Sequence, residues 1–178
     1  MIINIVNKYN YKEVAGKTIN IYLRSIEDNE MYVVLSHTYD NYPTDKDKQT
    51  LYANYLALVK KVKLAEIVRY DTSENVNCFY LAGQHAWLSK ADRVGLANSI
   101  NIEKAAGQEN TTLYLNGAAL TIGVDEALQI LSALELYALD CYRVTEQHKI
   151  AIAELTTIEE AENYDCTTGY PDKLHFDI

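Results

Sequence analysis

The feature that most constrains the fold is a 4-3 hydrophobic repeat in the last third of the chain. Positions 127, 131, 134, 138, 141, 145, 148, 152 and 155 hold Ala127, Leu131, Leu134, Ala138, Cys141, Thr145, His148, Ile152 and Leu155. Steps of four and three return to one side of a 3.6-residue turn, so the repeat predicts one long helix over 124–155. The stripe is too poor in Leu and Ile for a free coiled coil, and its small residues suit tight packing on its own domain. Ile130, Tyr137, Val144 and Ala151 widen the apolar face as a core-facing helix requires. Leu131 and Leu134 are the expected core residues.

The rest of the chain separates strands from helices. Thr18–Leu23 alternates polar and apolar residues, and Met31–Leu35 is a short apolar run; both read as strands, joined through the polar stretch Arg24–Glu30. Gly16 marks a turn before them. Thr44 is suited to cap a helix whose first turn holds Asp45 and Asp47, and Leu51, Tyr55, Leu58, Val62 and Ala65 give that helix an apolar face running to about Tyr70. Val76–Leu81 reads as a strand closed by Gly83, with Ala86-Trp87-Leu88 extending it. Ser89 caps a helix over 90–106, with Val94, Ala97 and Ile100 on one side, stopped by Gly107. Asn116-Gly117 between Thr111–Leu115 and Ala118–Ile122 is the signature of a type I′ hairpin, whose two central residues need positive φ. Thr157 and Glu160 form a capping box for a last short helix. Such segregation predicts an α+β fold. Its parts are an N-terminal β-hairpin or meander plus a helix (residues 1–60), then a compact domain with a β-hairpin packed on one long helix (residues 61–178).

Charge and cysteine content exclude several roles. Sixteen basic residues against 25 acidic ones leave a net charge of −9. Such a surface repels phosphate backbones and anionic lipid, so neither nucleic acid nor membrane is an expected partner. Cys78, Cys141 and Cys166 are odd in number and widely spaced, which fits neither a disulfide framework nor a zinc knuckle. The apolar start Met1–Val6 is shorter than a signal peptide, and no run approaches the roughly 18 apolar residues of a membrane helix. A soluble protein made in a reducing compartment is expected, folding without metal or cofactor.

Few residues invite chemistry. Ala15-Gly16-Lys17-Thr18 resembles the end of a phosphate-binding loop, but Tyr11 stands where the first glycine belongs and a strand follows instead of a helix. His37, His85, His148 and His175 are far apart, with no metal-ligand spacing. His148 and Cys141 fall on the apolar stripe, where they read as core or boundary residues. Cys166 and His175 would make a thiol–imidazole pair if the fold joined them, yet Asp165 beside the thiol works against its ionisation. Asp45, Asp47, Glu159 and Glu160 read as helix-start caps rather than calcium ligands. No catalytic residue is expected. Tyrosine, by contrast, is abundant: 15 Tyr against two Phe and one Trp. Tyr suits protein-contact surfaces, and a general preference for Tyr at half-buried positions is the alternative.

A further pattern lies in the order of features from about 64 to 172. Ile67 and Arg69 close a helix, and Asn77–Gly83 forms a short β segment. A helix with Asp92, Arg93, Leu96 and Ile100 comes next, then Thr112–Gly117 as a threonine, aromatic, turn segment. The long helix carries Leu131, Leu134, Tyr137-Ala138, Cys141-Tyr142, Thr145 and His148. Leu155–Glu160, Tyr164-Asp165 and Gly169-Tyr170-Pro171 end it. This order resembles an uncharacterised domain family of tailed bacteriophages and prophages, encoded beside or fused to tail-fibre and tail-assembly proteins. It covers a little over half the chain. Tyr170 stands where many relatives have tryptophan, and the first 60 residues match no relative. The family has no assigned catalytic residues.

The resemblance implies a non-enzymatic structural protein of the virion, in the tail, baseplate or fibre region, made in the bacterial host cytoplasm and contacting other phage structural proteins or further copies of itself. A tail or tail-fibre assembly chaperone that leaves before maturation is the alternative, and a small ligand-binding domain or enzyme a third. Residues 1–40 are the expected partner contact, with 64–172 as scaffold. Tyr9, Tyr11, Tyr22, Tyr32 and Tyr39 concentrate aromatic area there, and short strands with unpaired edges can accept a partner's strand. The alternative is that these strands join the sheet of the main domain.

Overall fold

A computed structural model of the protein describes residues 10–14, 18–24, 31–42, 44–115 and 117–177, with the backbone alone before residue 36. The fold is α+β: among the described residues, four helices accompany small antiparallel and mixed sheets. The chain divides into two units, Met1–Ile67 with His148–Cys166, and Val68–Gln147 with Thr167–Ile178.

The first unit opens with an antiparallel meander of β1 (Asn10–Val14), β2 (Thr18–Arg24) and β3 (Met31–Thr38). Helix α1 (Asp45–Asp71) follows. Thr44 caps it as expected: its hydroxyl accepts from the Asp47 N–H at 3.3 Å, and the Asp47 carboxylate accepts the Thr44 N–H at 2.7 Å. The buried face differs from the expected one. Leu51, Tyr55, Val59 and Ile67 are buried, whereas Leu58 and Val62 are 51% and 52% exposed. Three of the buried residues recur at steps of four, and such a row winds about 40° further round the helix per step than a straight stripe. It packs as an oblique ridge, here against Ile158 and Ala161 of α4 (Ile158–Asn163). The capping box of Thr157 and Glu160 starts α4, and the Ile158 N–H donates to the Tyr52 hydroxyl at 3.2 Å. A second cluster joins Ile67, Ile152 and Cys166.

The second unit holds β4 (Phe79–Leu81), β5 (Gln84–Ala86), α2 (Lys90–Ala105), β6 (Asn110–Leu115), β7 (Ala118–Gly123) and the greater part of α3 (Val124–Glu154), closing with β8 (His175–Phe176). On α3 the 4-3 repeat is buried nearly throughout: Ala127, Leu131, Leu134, Cys141, Thr145, His148 and Ile152 are all buried. A hairpin does pack on this helix, and it is β4–β5. Phe79, Leu81 and Ala86 share one cluster with Ile130, Leu131 and Leu134, which Leu113 and Ile122 of the second hairpin also enter.

Trp87 and Leu88 do not extend the Val76–Leu81 strand; the chain reverses at Ala82-Gly83, both at positive φ (48° and 72°), and returns as β5. The alanine hid this turn, since two-residue reversals are ordinarily signalled by Asn-Gly or Asp-Gly. For the expected Asn116-Gly117 turn, Leu115 pairs with Ala118, as a two-residue connection requires, and Gly117 sits at φ 81°. Asn116 itself lies outside the described residues, as do residues 25–30 of the Arg24–Glu30 connection, and Gly16. In α2, Ser89 and Asp92 complete a capping box, but Val94 is 48% exposed and Arg93 takes the buried side with Ile100. A long side chain can bury its stem if its head is satisfied. Arg93 donates to the Leu88 carbonyl at 2.7 Å and to Glu135 at 2.8 Å, and lies 5.2 Å from the Trp87 ring centre.

Candidate interaction surface

The N-terminal meander is where the sequence places the partner contact, and its backbone geometry is defined by two ladders. β1 pairs with β2 from Asn10 opposite Tyr22 to Val14 opposite Thr18, and β2 pairs with β3 from Thr18 opposite Thr38 to Arg24 opposite Met31. The register slips once. Ile21 opposes Leu35 while Tyr22 opposes Val33, so Val34 is the extra residue of a bulge, which bends the strand and strengthens its twist. With β2 inside, β1 and β3 each present one edge that no described strand pairs. A row of backbone N–H and C=O groups along such an edge is a template for another strand.

The tyrosines singled out from the sequence distribute as follows. Tyr11 is in register with Ile21, Tyr22 with Asn10 and Val33, and Tyr32 with Leu23, so one sheet brings these three together. Tyr9 lies outside the described residues. Tyr39, just past β3, is half-buried against the Leu51, Tyr55 and Val59 cluster. Its hydroxyl donates to the Asp47 carbonyl at 3.2 Å, and its ring meets His37 edge-on at 4.5 Å. Burial, and then the Asp47 charge, hold its phenol above the usual range. Tyr39 therefore ties the end of β3 to the first turn of α1.

Elsewhere the reactive side chains are engaged in packing. Cys141 lies with Val76 and Tyr137, and burial raises its thiol pKa. Burial and then Glu66 do the same to Cys166, whose neighbours are Ile67 and Ile152. A protonated thiol is a poor nucleophile. His175 stacks on Tyr80 at 4.5 Å, and His148 Nδ1 is 2.8 Å from the Tyr164 hydroxyl. Among the described residues, no group of three His, Cys, Asp or Glu is placed to hold a metal, and no helix is long and apolar enough to cross a membrane.

Two features went unread in the sequence. The first is a buried polar cluster: the Thr145 hydroxyl donates to the Asp71 carboxylate at 2.7 Å and so accepts from Tyr170 at 2.9 Å, while Tyr137 donates to the Val76 carbonyl at 2.8 Å. A threonine on an otherwise apolar stripe was its one visible signal, because a buried hydroxyl needs partners. The second is an apolar groove of about 190 Å³ lined by Leu81, Ala82, Ala86, Leu115, Ala118 and Leu120, where the two hairpins approach each other. No protein-family model, curated protein or solved structure matches this chain.

Proposed function

We propose that the protein is a non-enzymatic structural component of a bacteriophage virion, working by protein–protein contacts in the tail, baseplate or fibre region after synthesis in the host cytoplasm. One structural observation carries the contact part of this reading: the β1–β2–β3 meander has two outer edges that no described strand pairs. Strand addition to such an edge gives affinity through main-chain hydrogen bonds, and it needs no pocket. The phage context rests on the ordered features between residues 64 and 172. Tyr11, Tyr22 and Tyr32, drawn into that sheet by its register, supply the aromatic contact positions.

The test is mass spectrometry of particles purified from a lysogen or phage that carries the gene. A stoichiometric band in mature particles is the expected result; presence in the lysate and absence from particles would replace the virion component with a departing assembly chaperone. Deleting residues 1–38, which spares Tyr39, should leave cooperative melting intact and abolish incorporation. Loss of folding instead would make the meander part of the core and move the partner surface elsewhere.

A further inference from the structure

The second unit closes on a strand unlike its others. β8 is two residues long and runs parallel to β4, on the edge opposite β5. The Tyr80 N–H donates to the Leu174 carbonyl at 2.8 Å, and the Ala82 N–H to the Phe176 carbonyl at 2.9 Å. Leu174 and Phe176 are half-buried against the main cluster, and the Phe176 ring meets Phe79 edge-on at 6.1 Å. Between them His175 is exposed and stacks on Tyr80, 4.5 Å away and 11° from parallel.

The two sides of this contact are unequal. On β4, Phe79 and Leu81 are buried in the core, and β5 pairs the other edge. Residues 167–174, which lead to β8, form neither helix nor strand. Tyr170 anchors them: its hydroxyl lies 2.9 Å from that of Thr145, and its ring 5.3 Å from that of Tyr70. Past this anchor the segment is held by two backbone bonds of the slightly weaker parallel kind and by half-buried side chains. A segment with so few buried apolar contacts opens locally at low cost.

We propose that this edge of β4 recognises an extended segment of another protein, and that Leu174–Phe176 holds it shut as a strap which such a segment displaces. The strap itself shows the chemistry that fits. It is a strand parallel to β4, with apolar side chains against the core at its first and third positions and a flat ring on Tyr80 at its second. Main-chain hydrogen bonds supply the affinity and alternate side chains the specificity. A second copy's strap is the poorer occupant. Anchored at Tyr170, it has only Pro171, Asp172 and Lys173 as a tether, about 10 Å at roughly 3.3 Å per residue. That is shorter than the radius of gyration of a hundred-residue unit, about 13 Å. The site is distinct from the meander edges and stands apart from the virion reading, since the purified chain tests it.

The probe is a labelled heptapeptide of the strap's own sequence, Pro171–Asp177, added to the full chain and followed by fluorescence anisotropy. The parent should bind it weakly, because apparent affinity falls with the fraction of open sites. A full-chain variant with a loosened strap, Leu174→Ser/Phe176→Ser, should bind at least about tenfold more tightly. The peptide carrying the same two serines should not bind. Trp87, which packs on the same cluster as Leu174, should change its emission as the variant takes up the peptide. Equal binding by parent and variant, no binding by a variant with parent-like circular dichroism, or a variant that dimerises in sedimentation instead of binding overturns the proposal. Hydrogen exchange on the parent decides the matter where the variant does not fold. The Tyr80 and Ala82 amides should exchange at least about tenfold faster than that of Leu134 in α3, through opening of the strap alone. Exchange no faster than that of Leu134 would mean that the strap leaves only on global unfolding, and it too overturns the proposal.

Discussion

Replacing Leu134 with alanine tests the packing of the second unit most directly. Leu134 is fully buried in the cluster that joins α3 to β4, β5, β6 and β7. The substitution removes three carbons, worth about 2.4 kcal/mol of transfer at roughly 0.8 kcal/mol each. A residual cavity on the order of 50 Å³ adds about 1.2 kcal/mol at about 24 cal/mol per Å³. The expected loss is therefore about 3–4 kcal/mol. Leu136, two positions on and 64% exposed, is the control; alanine there should change stability by less than about 0.5 kcal/mol at low protein concentration. Trp87 is the sole tryptophan and packs against the same cluster, so its fluorescence in a urea titration reports this unit. With an m-value of about 1.5 kcal/mol per molar, the Leu134→Ala midpoint should fall by about 2 M at unchanged slope. A loss below about 1 kcal/mol, or equal losses at both positions, would refute the assignment of this face to the core.

The two hairpin turns should respond in opposite directions. Gly117→Val places a β-branched residue at φ 81° with no steric neighbour within 4 Å, so a purely conformational loss of about 1–2 kcal/mol is expected in the same titration. Ala82→Asn converts an Ala-Gly reversal to Asn-Gly and should raise stability by about 0.5–1 kcal/mol. Stability should also fall in alkali. Burial first of all, with Glu162 acting on Tyr55 and Cys141 on Tyr137, keeps both phenols protonated well above the ordinary value of 10.0. The unfolded chain releases these protons near pH 10 and the folded chain does not, so their contribution is complete below pH 10 and is lost as pH rises beyond it. Urea midpoints at pH 8 and pH 10.5 check this, and Tyr137→Phe should flatten the difference.

Three helix starts, the long helix and the two-residue hairpin connection could be read from the chain alone because each depends on residues close together in sequence. Ser89 with Asp92 and Thr157 with Glu160 are three positions apart, and the hydrogen bonds that cap the helices span that same interval. The α3 stripe repeats over enough turns that its period outweighs the single polar residues within it. What the tertiary structure decided involves partners distant in sequence. On α1, apolar residues occur nearly all round, so only the oblique approach of α4, about a hundred residues later, selects Leu51, Tyr55 and Val59 over Leu58 and Val62. Arg93 is buried because Glu135 and the Leu88 carbonyl satisfy it, a condition no helical pattern displays. Thr145 likewise sits in the stripe because Asp71 and Tyr170 are there to bond it. In the meander, the alternation marks strands, but the slip at Ile21 and Tyr22 and the two open edges exist only once three strands are laid side by side. Local hydrogen bonding writes its signal within a few residues; side-chain burial depends on which surfaces meet, and that is a property of the assembled fold.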